Sequence, residues 1–167
     1  MKNLRLLVLC CLMFGCAKAP TPVTNTTEAP PIRSTDVVKA TPQQATLAAG
    51  ASGDAVVTVQ IANGYHVNAN PATFPYLIAT QLEITPAAGI AVEFMSYPDP
   101  VTKKFPFAEK PLAVYEGQTI LKARLKADKS TKPGTHNLSA HLRVQACDDN
   151  VCYAPGSLDV TVPVNIK

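Results

Sequence analysis

The chain has 167 residues, with 15 Lys and Arg against 12 Asp and Glu, five Cys, fifteen Pro and no Trp, a length that fits one domain with appended segments. Lys2 and Arg5 fall in a leader, so the remainder carries 13 positive against 12 negative charges. A near-neutral chain with no run of like charges and no phosphate-cradling glycine loop is excluded as a nucleic-acid or nucleotide binder.

Residues 1–15 open with a basic stretch, Lys2 and Arg5, followed by an apolar run from Leu6 to Phe14. That run is too short to span a bilayer, which takes about 20 residues, and it predicts a signal peptide. Its end, Leu12-Met13-Phe14-Gly15-Cys16, resembles a bacterial lipoprotein signal, so Cys16 is the expected lipidation site and the chain is expected to be held to the membrane by that anchor. Ala17 in the next position favours the outer membrane under the sorting rule of enteric bacteria. Residues 17–35, AKAPTPVTNTTEAPPIRST, cannot bury a core and predict an extended tether. The expected organisation is a signal peptide over 1–15, a lipidated cysteine and tether over 16–40, and one folded domain over 41–167.

From residue 41 onward short β-favouring runs alternate with turn residues, the pattern of an all-β sandwich or barrel. Strands are expected at Ala55–Ile61, Tyr65–Asn68, Leu77–Thr85, Ala91–Tyr97, Leu112–Tyr115, Thr119–Ala127, Thr135–Cys147, Cys152–Tyr153 and Leu158–Ile166. Thr119–Ala127 places Leu121, Ala123, Leu125 and Ala127 on one face and Lys122, Arg124 and Lys126 on the other, which predicts one buried and one wet face. In Leu158–Ile166 the leucine, valines and isoleucine share a face, while Pro163 cannot donate a ladder hydrogen bond and predicts an edge or a bulge. Tyr65, Tyr97, Tyr115 and Tyr153 are read as core and hairpin packing.

Cys10, Cys11 and Cys16 crowd the leader, which leaves Cys147 and Cys152 for the folded part. Export permits a disulfide between them. Strict alternation over Leu138–Cys147 places Cys147 on the polar face with Ser139, His141, Arg143 and Gln145, so the pair is expected to face outward. The four residues Asp148-Asp149-Asn150-Val151 form a common hairpin length, and facing residues there lie near disulfide spacing. Closing so small a loop stabilises by only about 2 kcal/mol, and an accessible bond is exchangeable. Asp148 and Asp149 oppose a thiolate at Cys147. On these residues alone a redox pair and an inert surface clasp both remain open. His66, His136 and His141 occur with Met95 and the cysteines, yet no His-x3-His or Cys-x2-Cys spacing supports a metal site, and neither a metal nor a cofactor is expected.

The run Val144-Gln145-Ala146-Cys147-Asp148-Asp149-Asn150-Val151-Cys152-Tyr153-Ala154-Pro155 resembles the cysteine hairpin of the N-terminal periplasmic domain of the thiol:disulfide interchange protein DsbD. Gly64-Tyr65-His66-Val67-Asn68-Ala69-Asn70, Leu82-Glu83 and Pro111-Leu112-Ala113-Val114-Tyr115-Glu116-Gly117 are similar to segments of that family in the same order. The resemblance covers about residues 43–166 and implies an immunoglobulin-like β-sandwich whose paired cysteines shuttle between dithiol and disulfide. Under it Cys152 forms the mixed disulfide with partners and Cys147 resolves it. Lys103-Lys104-Phe105-Pro106-Phe107 is the implied counterpart of the shielding loop, with Phe105 or Phe107 as the cap. The implied partners are thioredoxin-like redox proteins, and the electrons are expected from a separate membrane carrier of the DsbD/CcdA type. The chain departs from the best-known members in its Cys-x4-Cys spacing and in Ala154, where a proline is often found. The alternative is a noncatalytic β-sandwich lipoprotein that binds partners and uses the disulfide as a surface clasp.

Overall fold

A computed structural model describes residues 31–167. The expected signal peptide, Cys10, Cys11, the lipidation site Cys16 and residues 17–30 lie outside the described residues.

After a 3-10 turn at Ser34–Asp36, the chain forms twelve strands. In order they are β1 (Val38–Pro42), β2 (Ala45–Leu47), β3 (Ser52–Ile61), β4 (His66–Asn68), β5 (Gln81–Ile84), β6 (Ile90–Ser96), β7 (Val101–Lys103), β8 (Leu112–Glu116), β9 (Gln118–Ala127), β10 (Gly134–Val144), β11 (Ala146–Cys147) and β12 (Gly156–Ile166). They make three four-stranded sheets, ordered β1-β3-β9-β6, β2-β12-β10-β5 and β11-β4-β8-β7. The first two supply the facing apolar layers of an immunoglobulin-like sandwich. Val57, Val59 and Ile61 of β3 and Leu121 and Leu125 of β9 join Leu138 and Leu142 of β10 and Val162 and Val164 of β12 in one core. The alternation expected for β9 holds, with Leu121, Ala123, Leu125 and Ala127 buried and Lys122 and Lys126 exposed. This is the hydrophobic-in, polar-out pattern of a sheet with one wet face.

Pro163 falls opposite Asn137 within the long β10–β12 ladder. β12 is not a sheet edge throughout, because β2 pairs in parallel with Val164–Ile166. The proline sits one residue before that pairing begins, where its missing N–H has no ladder partner to serve. The expected strand Leu77–Thr85 is regular only over Gln81–Ile84.

The folded part also begins before residue 41. β1 pairs along its length with β3, and Ser34 is fully buried, so residues 34–40 belong to the domain rather than to the tether. Only Val38 of β1 is buried, and one inward residue in a Pro- and Thr-rich stretch carries no readable period.

The third sheet grows from strands that leave the sandwich. β8 passes into β9 through Gly117, whose φ of 60° is a left-handed conformation that suits glycine. β10 passes into β11 across Gln145. One face of this sheet, with Val67, Ala69, Tyr115 and Ala146, joins the main core. On the other face Phe105, Leu112 and Val114 form a separate small apolar cluster.

Candidate functional site

Four side chains stand in a row across the third sheet. Cys152 bridges to Cys147, Cys147 of β11 is opposite His66 of β4, and His66 is opposite Glu116 of β8. Directly opposed residues of antiparallel strands project to the same face. Cys147 and Cys152 are joined as a disulfide. The expected parity is kept, since Val144 and Ala146 face the core and Cys147 faces away from it, but the expected exposure is not. Cys147 is 0% exposed and Cys152 is half-buried. The face that alternation marks as outward is covered by a second layer, the β7–β8 connection carrying Phe105. The two sulfurs are therefore unequal, one sealed and one partly open.

The hairpin is fixed at its base by residues far away in sequence. The Ala146 N–H donates to Ser34 Oγ at 2.9 Å, and that hydroxyl donates to the Ala154 carbonyl at 2.6 Å. Gln145, at the break between β10 and β11, accepts from the Ile78 N–H at 2.9 Å and from Asn68 Nδ2 at 3.0 Å through Oε1. Removing Ser34 Oγ strands a buried amide, so Ser34→Ala is expected to lower stability by about 1–3 kcal/mol. A chemical denaturation midpoint measured with the disulfide intact checks this.

Within the loop, Asp148 accepts from the backbone N–H groups of Asn150 and Val151 at 2.7 and 2.9 Å and from the Tyr153 hydroxyl at 2.6 Å. This is the local capping that Asp favours in turns. The Tyr153 bond, with the two amides, holds the Asp148 carboxyl below its usual range. The same bond pushes the Tyr153 phenol up to about 12. A lowered carboxyl adds stability above its unfolded value and loses it as pH falls through the folded one. A raised phenol adds stability below its unfolded value and loses it as pH rises through the folded one. The lock is thus complete between about pH 4 and about pH 10. Asp149 is exposed and lies 3.8 Å from Lys103 Nζ. The two carboxylates expected to oppose a Cys147 thiolate are accordingly each engaged by donors or a cation.

Phe105 lies over the row. It is 1% exposed, stacks on the His66 ring at 4.1 Å between centroids and on Phe107 at 5.4 Å, and has Lys103 Nζ 5.3 Å from its centroid. Lys103 also pairs with Glu116 Oε1 at 2.8 Å. Both partners of that pair are substantially exposed, and such pairs hold weakly. Phe107 is 41% exposed and, with Tyr76, Leu77, Val151 and Cys152, lines a cleft of about 340 Å³. The two candidate caps therefore occupy different places, Phe105 above His66 and Phe107 beside Cys152.

Burial pushes the His66 imidazole below its ordinary value. Glu116, Asp149 and Asp148 oppose that shift and Lys103 adds to it. Its Nε2 has no hydrogen-bond partner. From sequence, His66 is weighed as a metal ligand only to be set aside and otherwise falls within a segment of the family resemblance, and Ser34 is read as tether. Their positions depend on strand register and on a contact across 112 residues, neither of which leaves a local pattern.

A family model described as the N-terminal domain of thiol:disulfide interchange protein DsbD matches residues 34–163. No curated protein matches the chain at a significant level. Among solved structures, the N-terminal periplasmic domain of ScsB from Proteus mirabilis is 17% identical at a TM-score of 0.50, covering 77% of this chain and 45% of that chain. The reduced DsbD N-terminal domain of Neisseria meningitidis is 19% identical at a TM-score of 0.46, covering 70% of this chain and 82% of that chain. At such identities the likeness concerns the fold alone.

Proposed function

The chain belongs to the family of the N-terminal domain of thiol:disulfide interchange protein DsbD, a thiol–disulfide exchange module, and from that premise we propose that it relays reducing equivalents between a membrane-linked thioredoxin-like reductant and exported thiol proteins. The observation that carries this reading is the inequality of the two bonded cysteines, Cys152 half-buried at an apolar cleft and Cys147 fully buried beside His66, on which Phe105 stacks. A thiolate of the reductant attacks Cys152 Sγ, the Cys147–Cys152 bond breaks, and Cys147 leaves with the electron pair. A second thiolate of the reductant then attacks the mixed disulfide and frees Cys152, so the reductant is oxidised and the pair reduced. In delivery Cys152 attacks the client disulfide and Cys147 resolves the mixed disulfide. Phe105 and Phe107 shield the pair from small thiols. The proposed organisation places a signal peptide over 1–15, a lipid on Cys16, a tether up to the buried Ser34, and the module on the periplasmic side.

The test is the reduction potential of the pair against a thioredoxin-like redox partner. A potential above about −300 mV, with reduction by that partner, supports the relay. A potential below about −300 mV with no reduction identifies an inert clasp instead.

A further inference from the structure

The row across the third sheet contains one titratable group that disulfide exchange as described does not use. We propose that His66 takes the proton of the Cys147 thiol when Cys147 attacks the mixed disulfide at Cys152, and passes it to the departing partner thiolate. The inference rests on the exchange reading above and adds a proton path to it.

The premise is geometric. His66 is the direct cross-strand neighbour of Cys147, on the same face, and is itself only 1% exposed. Cys147 is 0% exposed, so its thiol proton has no open route to water when the thiolate is needed. The attacking species in exchange is the thiolate, and an acceptor inside the site is required.

The neighbouring groups are otherwise engaged. On the loop, the Asp148 carboxylate accepts from three donors, and Asp149 is exposed toward Lys103. On β8, Glu116 is paired with Lys103 of β7. Among the described residues two buried side-chain polar atoms have no partner, His66 Nε2 and Asn68 Oδ1. The second is an amide oxygen without useful basicity. Phe105, stacked on the imidazole, covers the ring and excludes water from it. A burial-depressed imidazole is neutral at pH 7 and so has a free lone pair.

The step balances. The Cys147 proton moves to His66 Nε2, Cys147 Sγ bonds to Cys152 Sγ, and the bond between Cys152 and the partner sulfur breaks. The partner leaves as a thiolate with the electron pair and is neutralised by the proton that the imidazolium gives up. The dithiol is oxidised and the partner disulfide is reduced.

The test follows the two thiols released when the reduced chain, with Cys10, Cys11 and Cys16 changed to Ser, reacts with 5,5′-dithiobis(2-nitrobenzoate). The first release marks capture at Cys152, and the second marks attack by Cys147. In the otherwise unaltered protein the second phase is expected to show an inflection below about pH 6.5, the ordinary imidazole value. His66→Phe, which keeps a ring against Phe105, and His66→Gln, which keeps a polar group, are expected to lose that inflection. Both should slow the second phase about 100-fold at pH 7 while leaving the first phase unchanged. A second phase without the inflection in the unaltered protein, or one whose rate and pH profile are the same in either folded variant, overturns the role of His66 and leaves exchange standing. Capture without any second release overturns the exchange reading and the inference together.

Discussion

Replacing Cys147 by serine is expected to turn the chain into a trap that holds a thioredoxin-like partner through Cys152, whereas Cys152→Ser is expected to hold none. The expectation follows from access. Exchange needs one thiolate to approach one sulfur along the bond it breaks, and Cys147 is fully buried while Cys152 lines the open cleft beside Phe107 and Val151. Without Cys147 no thiol of this chain resolves the mixed disulfide. Without Cys152 the remaining thiol cannot be reached. Both variants should stay folded, because closing a loop this short contributes only about 2 kcal/mol, and ordinary domains have about 5–15 kcal/mol of stability. The measurement is a nonreducing gel shift after mixing with a partner that keeps only its attacking cysteine, activated as its mixed disulfide with 2-nitro-5-thiobenzoate. Equal capture by the two variants would reverse or remove the assigned order of attack.

Phe105→Ala carries the largest expected stability loss, about 3–5 kcal/mol for an emptied aromatic site. Phe105 is sealed among Leu112, Val114 and the His66 ring, and its removal opens a cavity directly above the row. The variant should therefore both unfold at lower denaturant and lose its disulfide faster to a small thiol such as dithiothreitol. Phe107→Ala separates those effects. A ring that is 41% exposed contributes far less to the core, so its loss should leave the denaturation midpoint nearly unchanged while speeding attack at Cys152. If neither variant changes the rate of reduction, neither ring shields the bond.

The residues differ in how openly they announce their positions, for a physical reason. β9 and β12 were legible because alternation over ten or eleven residues reports which face is buried. The same alternation placed Cys147 correctly on the face away from the main core. It could not report that the face is roofed, since the ring lying over the neighbouring His66 is Phe105, more than forty residues before the cysteine. β7 shows no alternation, with Val101, Thr102 and Lys103 all exposed, and is a strand only because β8 pairs with it. The cysteine hairpin stood out through its own residues and its family resemblance. The partner groups of the hairpin, His66 by register and Ser34 by a distant hydrogen bond, exist only once the chain is folded.

The Ser34 clamp has a mechanical consequence. The first buried side chain of the described segment is the one that grips both sides of the cysteine hairpin, through Ala146 and Ala154. Tension on the chain ahead of Ser34 would reach this clamp before it could peel β1 from β3. A pull from that end would thus be delivered at the base of the disulfide loop, with the long β10–β12 ladder still intact.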